Sequence, residues 1–109
     1  MKKRKTIIHD RVFEQAEEIF DFIKRDSPQN AQKFRNELQR TINEVEKNPT
    51  LYAPDRYANE KRNMYRFTLV MKSWKLVFKV TQKLLFFLGI IHTSRHPNQT
   101  KKLRTNKYD

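Results

Sequence analysis

The sequence predicts an α+β fold in which an N-terminal strand is followed by a two-helix antiparallel hairpin, packed on one face of an antiparallel sheet of about four strands. Two observations lead to this prediction. Apolar residues recur at helical spacing up to Val45 and at alternate positions from Tyr65 onward. The segment between these regions, Thr50 to Lys61, contains a proline and follows neither period, as expected for a loop.

Two helices are predicted in the first half of the chain. After a short extended piece from Thr6 to His9, Asp10 stands where an N-cap residue belongs, and the first helix is expected from about Arg11 to about Lys24. Ser27-Pro28 starts the second helix and Asn48-Pro49 ends it, and the short link makes the pair an antiparallel hairpin. The apolar stripes expected to cover the sheet are Val12, Ala16, Ile19, Phe20 and Ile23 in the first helix, and Ala31, Phe34, Leu38, Ile42 and Val45 in the second.

Three strands are predicted in the second half, Tyr65 to Met71, Trp74 to Val80 and Leu84 to Thr93. The last of these is apolar at nearly every position, which is typical of a central strand covered on both faces. Short links at Lys72-Ser73 and Gln82-Lys83 favour hairpins. We therefore expect Met71 to lie opposite Trp74 and Val80 opposite Leu85.

This register divides the strand residues between two faces of the sheet. The face toward the helices is predicted to hold Tyr65, Phe67, Leu69, Trp74, Leu76, Phe78, Leu85, Phe87 and Ile91. The opposite face is predicted to hold Arg66, Thr68, Lys75, Val77, Lys79, Phe86, Leu88, Ile90 and His92. Because the helices cannot cover both faces, the apolar stripe Phe86, Leu88 and Ile90 predicts a docked partner segment. The alternative cover is the basic tail, residues 98–109, whose apolar residues are chiefly Leu103 and Tyr108.

Charge and composition narrow the function classes. The 109 residues, read as one domain with a basic tail, carry 24 Lys and Arg against 12 Asp and Glu, a net charge of +12 that indicates a nucleic-acid partner or a strongly acidic protein partner. The chain has no Cys, which excludes disulfides and thiolate metal sites and fits a cytoplasmic location. No apolar run is long enough for a membrane span, so no membrane partner is expected.

The chain resembles the RelE/ParE superfamily of toxins from type II toxin–antitoxin systems over about Thr6 to Pro97. The resemblance rests on the order of elements, the Asn48-Pro49 helix end, the strand Trp74 to Val80, and the pattern His92, Arg95, Pro97 at the end of the last strand. It implies a toxin that is neutralised by a cognate acidic antitoxin. The superfamily divides into ribosome-dependent mRNA endonucleases and DNA gyrase poisons, and the His-x-x-Arg-x-Pro ending occurs in both.

In endonuclease members of the YoeB type, the resemblance implies a basic residue at Lys75 and a catalytic histidine at His92, although Thr93 replaces the aromatic residue that follows it there. RNA cleavage without a metal needs a general acid or base and cations on the phosphate. His92 is the acid/base candidate, and Lys75 and Arg66 complete the predicted catalytic set. Lys79 and Arg95 are predicted to bind substrate.

Each of these residues also has a structural interpretation. His92 is equally consistent with a strand-end histidine in a hydrogen-bond network, Lys75 and Lys79 with charges that protect an edge strand, and Arg95 with an ion pair to the first helix. His92 and His96 are four residues apart, but Pro97 argues against the helix that a metal pair would need, so neither a metal nor a cofactor is predicted.

The first functional hypothesis is a metal-independent mRNA endonuclease acting with the ribosome on its message. The second is a gyrase inhibitor that performs no chemistry of its own, and the third is a non-toxic relic that only binds nucleic acid. The basic charge is compatible with all three.

Overall fold

The computed structural model describes residues 4–55, 64–94 and 102–103. In chain order the elements are β1 (Lys5–Ile8), α1 (Asp10–Lys24), α2 (Pro28–Lys47), a 3-10 turn (Pro49–Leu51), β2 (Tyr65–Val70), β3 (Trp74–Val80) and β4 (Leu84–His92). The four strands form one sheet in the order β1-β4-β3-β2. β1 runs parallel to β4, whereas β2, β3 and β4 pair antiparallel. The predicted α+β class is confirmed, and the sheet is mixed because of β1.

The two helices begin at different kinds of capping residue. The Ser27 hydroxyl accepts a 3.1 Å hydrogen bond from the Asn30 N–H, and Pro28 occupies the first helical position, as predicted. In α1 the predicted cap was wrong by one residue. His9 is the N-cap, its Nδ1 accepts a 3.0 Å hydrogen bond from the Arg11 N–H, and Asp10 is already helical. Neither helix of the described residues is long and apolar enough to cross a bilayer.

The helical hairpin covers one face of the sheet, and we call the resulting cluster the helix-side core. α2 contributes residues three or four apart, which lie on one face of a helix, and β3 contributes every second residue, which lies on one face of a strand. Its buried members are Val12, Ile19, Phe34, Leu38, Ile42, Val45, Val70, Leu76, Phe78, Val80, Leu85, Phe87 and Ile90. Phe78 lies at its centre, edge-on to Tyr52 at a centroid distance of 5.8 Å and tilted against Phe87 at the same distance.

The pairing of β2 with β3 differs from the predicted register by one residue. Val70, not Met71, lies opposite Trp74, because the link has three residues, 71–73, and Met71 and Lys72 both adopt positive φ values of 53° and 65°. A slip of one residue moves every side chain of a strand to the other face. Val70 therefore joins the helix-side core, and Tyr65 lies on the opposite face. The predicted core placement of Tyr65, Phe67 and Leu69 was wrong.

The pairing of β3 with β4 follows the prediction at first and then departs from it. Val80 lies opposite Leu85 as expected, and Phe78 opposite Phe87, but Val77 lies opposite Gly89, so that Leu88 is an extra residue in a β-bulge. Beyond the bulge the alternation is inverted. Ile90 packs in the helix-side core and Ile91 on the other side, which is the reverse of the predicted placement.

The second face of the sheet, which the helices leave open, is also buried, and we call its cluster the open-face cluster. It contains Tyr65, Val77, Phe86, Leu88 and Ile91, together with Leu103 from the tail. Leu103 sits against the chain's single glycine, since a Cβ added at Gly89 would lie 2.8 Å from Leu103 Cδ2. The alternative cover for this face, the basic tail, therefore does contribute through Leu103. Most other residues of the stretch 98–109 lie outside the described residues.

Truncation of the helix-side core should destabilise the protein. We expect Leu38→Ala and Phe78→Ala each to lower the free energy of unfolding by about 2 to 5 kcal/mol, because each leaves a cavity in a packed interface between helix and sheet. Urea denaturation followed by circular dichroism measures the change. Phe13→Ala is the matched control, since Phe13 is 57% exposed and should change the free energy by less than about 0.5 kcal/mol. Equal effects at all three positions would contradict this core.

The contact between Gly89 and Leu103 is tested by a double-mutant cycle. Gly89→Ala should destabilise the protein by about 1 to 3 kcal/mol, because its Cβ overlaps the Leu103 side chain. In a Leu103→Ala background, the cost of Gly89→Ala should be smaller. If Gly89→Ala costs the same free energy in both backgrounds, then Leu103 does not occupy the space beside the glycine.

Candidate functional site

The three predicted catalytic residues do not share one face of the sheet. Arg66 pairs across β2 and β3 with Phe78, a member of the helix-side core, and His92 pairs with Trp74, which packs against the same core. Lys75 pairs with Ile91 of the open-face cluster. Because cross-strand partners point to the same side, Lys75 is separated from the other two by the thickness of the sheet. The prediction that all three side chains converge on one surface was wrong.

Arg66 binds the loop that precedes β2. Its Nη1 donates hydrogen bonds to the Tyr52 carbonyl at 2.7 Å and to the Thr50 carbonyl at 3.3 Å. Two backbone hydrogen bonds complete the attachment, from the Asp55 N–H to the Tyr65 carbonyl and from the Phe67 N–H to the Ala53 carbonyl. This attachment covers the outer edge of β2. Burial of Tyr52 raises the pKa of its hydroxyl, and the nearby Glu44 acts in the same direction.

Lys75 and Lys79 lie on the open face but not at its surface. Lys75 Nζ forms an ion pair with Asp55, whose side chain is fully buried, and lies 5.0 Å from the centre of the Phe67 ring. Lys79 is 1% exposed, with its Nζ 5.6 Å from the centre of the Tyr65 ring. The aromatic faces favour these positions because a ring face carries partial negative charge. Neither lysine is therefore an exposed charge that protects an edge strand, since β3 is an inner strand of the sheet, and contact of Lys79 with a phosphate stays a prediction.

The apolar stripe predicted to receive the antitoxin is buried within the chain. Phe86 and Leu88 belong to the open-face cluster, and Ile90 lies on the opposite side, in the helix-side core. All three are at most 4% exposed. Phe86 also stacks on the ring of His9, with the centroids 6.1 Å apart and the planes 18° apart. The predicted exposure of this stripe was wrong, and contact of these side chains with an antitoxin stays a prediction.

His92 lies in a cleft where the end of β4 meets α1. Its ring contacts Trp74 edge-on, with a centroid distance of 4.9 Å, and Trp74 in turn contacts Phe34. The Nδ1 atom accepts a 3.1 Å hydrogen bond from the Ser94 N–H and lies 2.7 Å from the Ser94 hydroxyl oxygen. Because a backbone N–H only donates, Nδ1 is an acceptor here. The cleft has a volume of about 570 Å³. Its lining residues are Gln15, Glu18, Ile19, Phe22, Trp74, Ile90, Ile91, His92 and Ser94.

Side chains of α1 occupy the outer edge of β4 where β1 has ended. β1 pairs with β4 only from Leu84 to Phe87. Beyond that point, Arg11 Nε donates a 2.7 Å hydrogen bond to the Leu88 carbonyl, and Gln15 Oε1 accepts a 2.8 Å hydrogen bond from the Ile90 N–H. These side chains replace hydrogen bonds that a neighbouring strand would make. Burial lowers the pKa of the Arg11 guanidinium.

Several residues that shape these sites had not been predicted from the sequence. Asp55 is in a loop without periodicity, and Arg11 and Gln15 are polar residues of an amphipathic helix, so local patterns do not reveal their partners. The available signal was Gly89, since a lone glycine within an apolar strand indicates a bulge or a close approach. Arg95 lies outside the described residues. Among the residues that the structure describes, no cluster of three or more His, Asp or Glu is arranged to hold a metal ion.

The fold is that of a known class of small α+β proteins. A solved chain described as "Chromosomal ParDE TA system from P. aeruginosa" is similar to this protein, with a TM-score of 0.65 and 13% sequence identity. The alignment covers 83% of this chain and 96% of that chain. At this identity the likeness shows a shared fold. Among curated proteins, no sequence matches this chain.

The family follows from the sequence match. The model of the family described as "ParE toxin of type II toxin-antitoxin system, parDE" matches residues 6–97, which is most of the chain. The protein therefore belongs to the ParE toxin family, within the RelE/ParE superfamily, and is the toxin component of a type II toxin–antitoxin system. Its partner in such a system is a cognate antitoxin.

Replacement of either member of the buried Lys75–Asp55 ion pair should show whether Lys75 stabilises the fold. We expect Lys75→Met and Asp55→Asn each to lower the free energy of unfolding by about 3 kcal/mol, because each removes one charge of a buried ion pair. The double variant Asp55→Asn/Lys75→Met should lose less than the sum of the two. Chemical denaturation measures all three proteins.

The matched control for the ion pair is Arg40→Met. Arg40 forms ion pairs with Glu37 and Glu44 on the exposed side of α2, where water screens the charges, so its replacement should have little effect. Additive losses in the double variant would mean that Lys75 and Asp55 stabilise the fold independently.

Proposed function

We propose that this ParE-family toxin acts in the cytoplasm by binding DNA gyrase and blocking it, without catalysing a reaction of its own. The observation that carries the proposal is the separation of the predicted catalytic residues. Arg66 is bound to loop carbonyls, Lys75 is paired with Asp55 and His92 lies across the sheet from Lys75. RNA cleavage needs an acid or base and phosphate-binding cations within one reaction centre, and these three residues do not form one.

The distribution of charge supports a binding function. All acidic residues except Glu60 and Asp109 lie before residue 56, so nearly all of the +12 net charge belongs to the second half of the chain. A strong positive field accelerates association with acidic proteins and with DNA and is screened by salt. A toxin that engages a DNA-bound enzyme, and is neutralised by an acidic antitoxin, uses such a field in both encounters.

A second candidate, the ribosome-associated mRNA endonuclease, is favoured by one observation. His92 lies in a cleft together with Ser94 and Glu18, and imidazole, hydroxyl and carboxylate groups are all capable of proton transfer. In that function Arg66 and Lys75 would not bind the scissile phosphate without a rearrangement of their present contacts. The phosphate would have to be bound by other cations, such as Arg95, which is predicted to bind substrate and lies outside the described residues.

The two candidates are separated by assays with purified protein. The gyrase function predicts that the toxin inhibits supercoiling by purified gyrase, and that its expression produces DNA damage before translation falls. Cleaved message on purified ribosomes, with supercoiling unaffected, would contradict it and support the endonuclease.

The role of His92 gives a second, independent test. His92→Ala should retain gyrase inhibition and growth arrest within about threefold, since binding does not depend on proton transfer by the imidazole. Under the endonuclease function the same change should reduce the cleavage rate by roughly 10² to 10⁴. His92→Gln, which keeps a hydrogen-bonding side chain beside Ser94, is the control for altered packing against Trp74.

A further inference from the structure

One end of the sheet carries exposed positive charge. The turn between β3 and β4 lies there beside the start of β1, because the parallel ladder of β1 with β4 begins at the first residue of each strand. Three residues at this end are exposed, Lys5, Gln82 and Lys83, and Arg4 is partly buried. We call these four residues the basic end.

Hydrogen bonds hold the basic end in one arrangement. The Lys5 N–H donates to the Lys83 carbonyl at 2.9 Å. Arg4 Nε donates to the Thr81 carbonyl at 2.8 Å. The turn itself is closed by the Leu84 N–H, which donates to the Thr81 hydroxyl at 3.0 Å, and by the Thr81 N–H, which donates to the Leu84 carbonyl at 2.9 Å. A preformed main chain therefore presents the cations, and a ligand does not have to order it on binding.

The cations of the basic end have no counter-charge in the described part of the chain. None of the ion pairs there includes Arg4, Lys5 or Lys83. The carboxylate of Glu46 lies next to this region, and it accepts a 2.8 Å hydrogen bond from the hydroxyl of Thr6. Like charges that are grouped in this way repel one another, and a polyanion that binds them removes the repulsion.

The helices make the basic end distinct from the rest of the described surface. In residues 10–55, which contain both helices, acidic residues outnumber basic residues. α1 begins beyond the far end of β1, and it exposes the carboxylates of Asp10, Glu14, Glu17, Glu18 and Asp21. A polyanion is therefore repelled by the outer side of α1 and attracted to the end of the sheet where β1 begins.

The side chains of the basic end are suited to the backbone of duplex DNA. Lysine, arginine and glutamine donate hydrogen bonds to phosphate oxygens, and these contacts hold a duplex without reading its sequence. Proteins that bind single strands instead stack the bases on aromatic rings. The basic end has no aromatic residue, and the exposed phenylalanines of the described chain, Phe13 and Phe22, lie on α1.

The spacing of the cations favours DNA over an acidic protein. Lys5 and Lys83 lie on neighbouring chain segments, roughly 4.8 Å apart as strands of a sheet are. Duplex DNA carries one negative charge per about 1.7 Å of helix axis. Two cations this close together can each meet a phosphate of one duplex at the same time.

We infer that the basic end binds the phosphate backbone of duplex DNA without reading its sequence, and that this contact holds the toxin on the DNA segment engaged by gyrase. The second part rests on the proposed gyrase function, whereas the DNA contact follows from the surface of this chain alone. A toxin held on the DNA meets the enzyme at a raised effective concentration.

DNA binding is measured with the full-length toxin and a fluorescently labelled duplex of about two helical turns. Fluorescence anisotropy gives the association constant at several salt concentrations. We expect its logarithm to fall linearly with the logarithm of the salt concentration, because phosphate contacts release counterions. Two duplexes of unrelated sequence should bind with affinities that agree within about threefold.

A pair of double variants with equal net charge locates the contact. Lys5→Gln/Lys83→Gln should bind the duplex about tenfold more weakly and reduce the salt slope by about 1.8, since each phosphate contact contributes about 0.9. Lys33→Gln/Lys72→Gln removes the same charge from two exposed lysines, one in α2 and one in the turn between β2 and β3 at the opposite end of β3. The salt slope of this control should stay within about 0.5 of the wild type.

The variants are chosen to leave the fold intact. Arg4 is retained because its side chain also binds the turn, and thermal denaturation verifies that each variant is folded. The single variants Lys5→Gln and Lys83→Gln should each lose about half of the change in slope, which keeps the test decisive if the double variant does not fold.

Several results would overturn the inference. They are equal duplex affinities and salt slopes of the two double variants, no binding of the duplex by the wild type at low salt, or tighter binding of a single strand of the same length. If Lys5→Gln/Lys83→Gln loses binding to poly-glutamate but retains duplex binding, the basic end is a site for an acidic protein instead.

Inhibition of purified gyrase is measured in parallel with the same proteins. Lys5→Gln/Lys83→Gln should need about tenfold more toxin than the control variant to halve the supercoiling rate. Undiminished inhibition by a variant that has lost duplex binding would overturn the role of the DNA contact at gyrase. Duplex binding by a toxin that does not inhibit gyrase would exclude only the proposed target, and the DNA contact would stand.

Discussion

The β-bulge at Leu88 is the constraint on which the rest of the structure depends. β4 is buried on both faces, so every side chain in it must match one of two cores. The extra residue inverts the alternation, which places Ile90 under α1 and turns His92 toward Trp74. Without the bulge, His92 would share a face with Lys75, and the cleft beside α1 would lose its imidazole.

The bulge also links distant parts of the chain. Gly89 leaves room for Leu103, which closes the open-face cluster, and the carbonyl and N–H on either side of it are bound by Arg11 and Gln15 of α1. A conformational change in β4 would therefore disturb the tail and the first helix together.

The basic residues of the strands act mainly inside the protein. Arg66 holds the loop before β2, Lys75 neutralises the buried carboxylate of Asp55, and Lys79 lies over an aromatic ring. Movement of these cations toward a ligand would break the contacts that they make within the chain, above all the ion pair of Lys75 with the buried Asp55. A toxin built in this way is better suited to recognising a partner with its outer surface than to binding a phosphate against its sheet.

The sequence by itself determined the fold class, the caps and ends of α2, the extents of the strands to within a residue, and the family. These features depend on local periodicity, on Ser27-Pro28 and on Asn48-Pro49, which act over a few residues. It did not determine which face each strand residue occupies. The face depends on the three-residue link between β2 and β3 and on the one extra residue in β4. Because side chains alternate between the two faces of a strand, inserting or removing one residue moves every side chain after it to the other face. The predicted convergence of His92, Lys75 and Arg66 failed for this reason, because only packing of the strands against two cores decided that Lys75 lies across the sheet from the other two.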